Sequence, residues 1–468
     1  MSTARPNILF IFSDQHRWCD LGCYGNREVQ TPCFDRFAAA GLRFDACFSE
    51  SPLCVPARGT LLTGLSSRHH EAIGNDLPIR TDLTSVADVL SNADYHTGYI
   101  GKWHLAGVPR TKSIPQGRGR MGFQEWKTAN CSHSYLDSYF DDEEDLRHPI
   151  PGYEPETQTS LAIDFIHRNA DKNWALWLSW GPPHSPYREV PEEWLALYDP
   201  GALTLRPNVH LPVVENASAQ ISEESLRSAL QGYYAHISAL DREFGRLLDT
   251  LEKTGQLANT LVVYTSDHGD LLGSQGWMNK QMPYDEAVRV PLLIGQPGTI
   301  PSGVRSQLIG LSDLAPTILG AAGLAFPEKT DGRDFHALLH NGNTPTRSEI
   351  YLTDYTACHQ SAFRGTPAWR AIRTEQYLLA RFADQAPWLL FDMAADPFQQ
   401  HNLFEEGTSL HWEPLSQRLD TLVEACDAWL DPEALISVLG LRAAWNESQK
   451  YFQLPEITPP GLPSSASP

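Results

Sequence analysis

The stretch Asn7-Ile8-Leu9-Phe10-Ile11-Phe12-Ser13-Asp14 is apolar at every position from 8 to 12, so it has no polar face to turn to water. Such a run reads as a strand covered on both sides. Comparable β-rich runs occupy 95–100, 174–180, 261–266 and 290–294, and between them 32–40, 84–92, 158–169 and 223–253 show helical spacing. The alternation predicts an α/β fold, a large mixed and mostly parallel sheet flanked by helices. From residue 369 the pattern changes. Runs at 369–373, 376–382 and 388–392 read as antiparallel strands, followed by an amphipathic helix over about 414–430. The expected organisation is an α/β domain over 1–345 and a smaller α+β subdomain over 346–468, linked through the polar segment 341–348. The Pro- and Ser-rich tail beyond Pro455 is expected to be extended or disordered.

Composition bounds the partners. Apolar residues make up 41% and charged residues 20% of the 468, and no apolar stretch is long enough to span a bilayer, so no membrane insertion is expected. Residues 1–5 run into the first strand without a small-residue cleavage site, which predicts no secretory signal. The eight cysteines (19, 23, 33, 47, 54, 131, 358 and 426) lack the density of a disulfide scaffold and the spacing of a zinc site, so a reducing cytoplasm is the expected compartment. A net charge of −21 argues against general nucleic-acid binding. It does not exclude a small anion, which answers to the few charges inside its pocket.

The most informative segment is Cys54-Val55-Pro56-Ala57-Arg58-Gly59-Thr60-Leu61-Leu62-Thr63-Gly64, a C-x-P-x-R-x-x-x-x-T-G pattern. Pro56 suits a first helical turn and Gly64 a helix stop, so Cys54 is expected at a helix N-terminus. Free amide N–H groups and the helix dipole favour negative charge there, and Arg58, one turn on, adds bidentate donors.

Four residues at strand ends read as a metal site. Asp14 and Gln15 close the first run; Asp267 and His268 close 261–266. Open α/β sheets gather ligands at such carboxyl ends, so the two pairs are expected to converge on one divalent cation. Two carboxylates and an amide oxygen suit Ca²⁺, with Mg²⁺ or Mn²⁺ next, and His268 raises the softer options. Lys102 and His104, in Gly-Lys-Trp-His, would project to the same side if their strand continues. His184 lies in a Pro-rich loop after 174–180, and Lys280 lies in a Gly-rich loop after Asp267. Asn75 follows Gly74 in a turn-like segment. His133, His148, His359 and Arg364 lie in loops (111–120, 130–148 and 355–369) that are expected to shape a substrate pocket.

With these residues in hand, the chain resembles the formylglycine-dependent sulfatases of the alkaline phosphatase superfamily, from Asn7 to about Leu403, including Asp396-Pro397 and Asn402-Leu403. The resemblance implies that a formylglycine-generating enzyme oxidises Cys54 to an aldehyde. It implies metal binding by Asp14, Gln15, Asp267, His268 and an oxygen of the modified Cys54. Arg58, Lys102, His104 and Lys280 would hold the sulfate and the aldehyde hydrate, and His184 would stand next to the leaving group. Gln15 departs from the commoner aspartate and His268 from the commoner asparagine. One hydroxyl of the hydrate would attack sulfur; the other, deprotonated by His104, would expel sulfate, while His184 or Lys280 protonates the alcohol. A sulfated saccharide is the first substrate expected, then an aryl or alkyl sulfate. Related phosphonate monoester and phosphodiester hydrolases share the cysteine motif, the Gln and an Asn like Asn75, which is counted with the substrate-binding residues. They differ at Lys102 and His104, where they carry Tyr and Thr. A non-catalytic binder of sulfated ligands, with Cys54 unoxidised, is the remaining alternative.

Overall fold

The apolar run at residues 8–12 is buried because it lies at the centre of a wide sheet. The computed structural model of the chain describes residues 5–216, 219–404 and 412–452. In chain order the strands are β1 (Asn7–Asp14), β2 (Leu42–Phe48), β3 (His96–Lys102), β4 (Glu125–Ala129), β5 (Asp137–Asp141), β6 (Arg147–Pro151), β7 (Trp174–Pro183), β8 (Val213–Asn216), β9 (Ala219–Ile221), β10 (Thr260–Ser266), β11 (Arg289–Gly295), β12 (Gly303–Arg305), β13 (Ile309–Gly310), β14 (Glu349–Asp354), β15 (Trp369–Thr374), β16 (Tyr377–Phe382) and β17 (Pro387–Asp392). The large sheet runs β12-β2-β11-β10-β1-β7-β3-β4-β5-β6, with β13 also on β2. Its centre, from β10 to β4, is parallel. β11, β5 and β6 join antiparallel, which makes the sheet mixed.

Alternate residues of β1 enter two separate cores. Ile8, Phe10 and Phe12 pack with Leu61 and Leu62 of the helix Cys54–Thr63, whereas Leu9 and Ile11 pack with Leu240 and Phe244 of the helix Glu223–Lys253. Both faces are dry. That is why the strand is apolar without alternation.

The smaller sheet, β14-β15-β16-β17, is antiparallel throughout. One face shares a core with Phe48, Leu271 and Val288 of the large unit; the other, through Ile372, Leu379 and Leu390, is covered by Leu415, Leu419 and Val423 of the helix Trp412–Cys426. That helix starts and stops a little before the predicted 414–430.

Other boundaries moved for identifiable reasons. The helix read at 84–92 spans only Val86–Ser91, because Ser85 and Asp88 form a reciprocal capping box that sets its start. The helix read at 158–169 begins earlier, at Glu154, with a proline in its first turn. β2, β4, β5 and β6 carried no clear signal: Leu-Arg-Phe-Asp-Ala-Cys-Phe in β2 interrupts its apolar residues with two charges. The tail beyond Pro455 lies outside the described residues. All eight cysteines are unpaired, and among the described residues no helix is long and apolar enough to cross a membrane.

Candidate active site

Leu53 enters the helix Cys54–Thr63 in extended conformation, and Gly64 leaves it at φ 66°, so the helix begins at Cys54 and stops as the motif predicts. Every residue of this helix is buried. The side-chain Oδ1 of Asn75 accepts the Val55 N–H at 3.0 Å, so Asn75 braces the turn that carries Cys54. Cys54 Sγ lies 3.3 Å from His268 Nε2 and 3.7 Å from Asp14 Oδ1. Burial and the Asp14 carboxylate oppose ionisation of the thiol. Lys280, Lys102 and His268 outweigh them and hold its pKa well below the ordinary thiol value.

β1 and β10 are parallel neighbours, and their carboxyl ends therefore lie side by side. This brings Asp14, Cys54, Asp267 and His268 together with one ligand atom each, all within 4.8 Å of one another. Asp267 Oδ1 accepts the backbone N–H groups of Gln15 at 3.0 Å and His268 at 2.9 Å. His268 Nδ1 donates to the Gly269 carbonyl at 3.0 Å, which leaves Nε2 facing the cluster. Burial, reinforced by Asp14, raises the Asp267 pKa. Two enclosed carboxylates of like sign facing one point fit a cation. The donors present are two carboxylate oxygens, one histidine nitrogen and the Cys54 sulfur. Gln15 belongs to the same cluster: its Oε1 accepts from Lys280 Nζ at 2.5 Å and its Nε2 donates to Asp270 Oδ2 at 2.6 Å.

Arg58, expected beside a bound anion, is hydrogen-bonded here to the two carboxylates. Its Nε donates to Asp267 Oδ2 at 3.1 Å, Nη2 to Asp14 Oδ2 at 3.0 Å, and Nη1 to both the Lys102 carbonyl and Ser179 Oγ at 2.8 Å. Four of the five guanidinium N–H groups are thereby committed to the protein. The residue joins the Asp14 and Asp267 carboxylates through one buried cation.

Lys102 and His104 both reach the site, but not as alternate residues of one strand. β3 ends at Lys102, and His104 has φ 59°. Gly101 permits this approach: at φ 106°, a Cβ there would stand 2.0 Å from the Ser179 carbonyl oxygen. Lys102 Nζ donates to Asp14 Oδ2 at 2.5 Å and lies 3.2 Å from His133 Nε2. His104 Nε2 donates to Asp76 Oδ1 at 3.2 Å, and its buried Nδ1 has no hydrogen-bond partner among the described residues. Burial opposes the charge on His104, but Cys131 and the Asp76 carboxylate lift its pKa to about 10.

His184 donates from Nδ1 to the Ser185 carbonyl at 2.6 Å, since a carbonyl can only accept, and so presents Nε2. Its ring stacks on His133 with centroids 4.2 Å apart and planes within 5°. Burial, then Lys280, depresses the His184 pKa well below the ordinary value; burial, then His184, does the same to His133. Lys280 lies between Asn279 and Gln281, both at φ 67°, and Arg364 holds this loop through the Met278 and Lys280 carbonyls.

Of the loop residues, His133 and His359 join the cluster, Arg364 braces it, and His148 pairs with Asp142 away from it. Asp76, Asp270, Arg110 and Cys131 carried no recognised signal. Asp76 accepts from His104, from Arg110 at 2.8 and 2.9 Å and from His359 at 2.8 Å. The available clue was adjacency, since Asp76 follows Asn75 and Asp270 closes Asp-His-Gly-Asp.

Comparison with known proteins shows the family. Residues 6–324 match the family model described as Sulfatase, and residues 273–425 match one described as N-sulphoglucosamine sulphohydrolase, C-terminal. The chain is 34% identical to an ulvan-active sulfatase of Formosa agariphila, covering 89% of this chain and 80% of that protein. It is 30% identical to an N-acetylglucosamine-6-O-sulfatase of Bacteroides thetaiotaomicron, covering 86% and 83%. A solved structure described as a complex with its substrate D-glucosamine-2-N,6-O-disulfate superimposes with a TM-score of 0.77 at 27% identity, covering 91% and 98%. A parallel sheet that delivers two carboxylates, a histidine and a motif cysteine to one point, in a chain matched by that model over most of its length, belongs to the sulfatase family of the alkaline phosphatase superfamily.

Proposed function

We propose that the protein hydrolyses the sulfate ester of a saccharide, using a formylglycine made from Cys54 by a formylglycine-generating enzyme. The observation that carries this reading is the closed cluster of Asp14, Cys54, Asp267 and His268, ringed by Lys102, Lys280 and His184. Ca²⁺ best suits the donors Asp14, Gln15, Asp267, His268 and the modified Cys54, with Mg²⁺ or Mn²⁺ next; when bound, it would acidify a hydroxyl of the hydrated aldehyde and polarise the sulfate. Lys102 and Lys280 supply the positive charge that a sulfate group requires. His184 offers Nε2 toward the bridging oxygen and Lys280 is the second candidate donor to the departing alcohol. His104, held at Nε2 by Asp76, offers Nδ1 to take the proton from the second hydroxyl, so that sulfate departs as the aldehyde re-forms. Of the groups that raise the His104 pKa, Cys131 comes first and the Cys54 thiol last, so oxidation of Cys54 removes only the smallest of them, and the base is the fraction of His104 that is neutral.

The names of the relatives favour a sulfated saccharide over a small aryl or alkyl sulfate. A phosphonate monoester hydrolase is the second reading, and Lys102 and His104 count against it. We also propose the division at about residue 345, with the C-terminal part lending His359 and Arg364 to the site. The eight unpaired thiols support a reducing, cytoplasmic location. The test is the mass of the Cys54 peptide from the native host, followed by rates on an aryl sulfate and an aryl phosphonate monoester. Exchange of sulfur for oxygen and a faster sulfate reaction are expected. An unmodified thiol, or a faster phosphonate reaction, refutes the assignment.

A further inference from the structure

Gln15 raises a question of charge. Its amide oxygen is neutral where relatives commonly place a carboxylate, and a side-chain amide can present either oxygen or nitrogen to a cation. The surroundings decide which. Asp270 is fully buried and receives four donors: Gln15 Nε2 at 2.6 Å and Tyr187 Oη at 2.7 Å on Oδ2, and the Leu272 and Asn279 backbone N–H groups at 3.0 Å on Oδ1. A carboxylate has about four lone-pair sites, and all are filled. A protonated acid would have to turn its own hydrogen against one of these donors. Asp270 is therefore a pure acceptor. It admits only the NH₂ end of Gln15, so Oε1 is the end left to face Lys280 Nζ.

We propose that Asp270 is the positioning residue of the metal site: it selects the oxygen of Gln15 as the ligand and supplies, one bond further out, the negative charge that the ligand itself lacks. The proposal rests on the metal-site reading given above. Its main support is that Gln15 is held at every other polar atom as well, by Asp267 on its backbone N–H and by Tyr233 on its carbonyl at 2.6 Å. Only the side-chain amide is free to turn, and it is stopped by Asp270 on Nε2 together with Lys280 on Oε1.

The consequence is a charge exchange that can be tested. In Asp270→Asn, the amide oxygen stays with the two backbone N–H groups, and the NH₂ group meets Gln15 donor to donor. Gln15 then faces a donor at each end, the new NH₂ group at position 270 in one orientation and Lys280 Nζ in the other, so its oxygen is no longer held toward the cation. In Gln15→Glu, which keeps the side-chain length, two carboxylates oppose each other at hydrogen-bond distance. In the double variant Gln15→Glu/Asp270→Asn, the new NH₂ donates to the new carboxylate, and the charge has moved from the outer residue to the ligand. Calorimetric titration of the metal-stripped proteins with Ca²⁺, Mg²⁺ and Mn²⁺ reads this directly, without turnover. Each single variant is expected to bind about 10–100-fold more weakly than the parent, and the double within a few-fold of it. Circular dichroism in chelator monitors folding. If a single variant does not fold, a folded double variant that binds metal upholds the proposal. An Asp270→Asn protein that binds like the parent overturns it, and so does a double variant that is unfolded or no better than the singles. A parent protein that binds none of the three ions would instead refute the metal-site reading.

Discussion

Replacing Arg58 with methionine keeps most of the side chain's length and removes the buried cation that joins Asp14 to Asp267. The guanidinium is 1% exposed and both carboxylates are fully enclosed. Two charge-assisted bonds, at 3.0 and 3.1 Å, would be lost, and the Lys102 carbonyl and Ser179 Oγ would lose donors at 2.8 Å. Removing one partner of a buried ion pair costs about 3–5 kcal/mol, because the other charge is left uncompensated. Burial already raises the Asp267 pKa with Arg58 present, so this carboxylate has little reserve. A divalent cation binding the same carboxylates would restore part of the charge balance. Denaturant unfolding should therefore show a loss of about 3–5 kcal/mol in chelator and a smaller loss at saturating Ca²⁺, by linkage to metal binding. A loss below about 1 kcal/mol in chelator would refute this bridging role, since it is no more than an exposed ion pair gives. A larger loss with Ca²⁺ than without would show that Arg58 organises the ligands more than it balances their charge.

Asp76→Asn should lower kcat by about 100-fold or more with little change in KM on an aryl sulfate, because His104 loses the acceptor that keeps its proton on Nε2; a change confined to KM would mean that Asp76 shapes binding instead. Gly101→Ala should cost about 3 kcal/mol in denaturant unfolding, since the added Cβ would meet the Ser179 oxygen at 2.0 Å, and a neutral effect would show that β3 can yield there. Burial, then Asp313, lifts Glu50 from 4.5 to about 7, so the folded state holds that proton more tightly than the unfolded chain between these values. The stability it contributes is present below the unfolded pKa and is lost as pH rises through the folded one. Glu50→Gln, permanently neutral, should therefore gain about 1 kcal/mol or more on the parent between about pH 5 and pH 8, and a difference independent of pH would count against it. Cys54→Ala should abolish turnover and leave the circular dichroism spectrum unchanged; retained sulfatase activity would remove Cys54 from the mechanism.

Much of the fold was legible because burial leaves a local trace. A strand covered on both faces must be apolar along its whole length, and β1, β7 and β10 declare themselves in this way. β2 and the β5–β6 hairpin did not, because half-exposed strands mix charged residues among apolar ones and resemble loops. The helix at Cys54 was legible from Pro56 and Gly64, whose backbone preferences are their own. The candidate site followed the same division. Residue types at strand ends named Asp14, Gln15, Asp267 and His268 as a group, and the motif named Cys54.

The sequence by itself determined the class of fold, the family and the set of groups able to do the chemistry, since each is written in residue types and in spacings of a few positions. Tertiary structure alone decided what each charged group faces. Gln15 meets Asp267 across 252 residues and Asp270 across 255, and Arg58 meets Asp267 across 209. No local pattern can carry such pairings, because side-chain direction depends on which strands become neighbours. Arg58 accordingly turned inward to the carboxylates, Asp76 became the partner of His104, and Asp270 the restraint on Gln15. The physical reason is one of range: periodicity and backbone preference act over a turn or two, whereas a buried charge is satisfied only by groups that the assembled sheet brings to it.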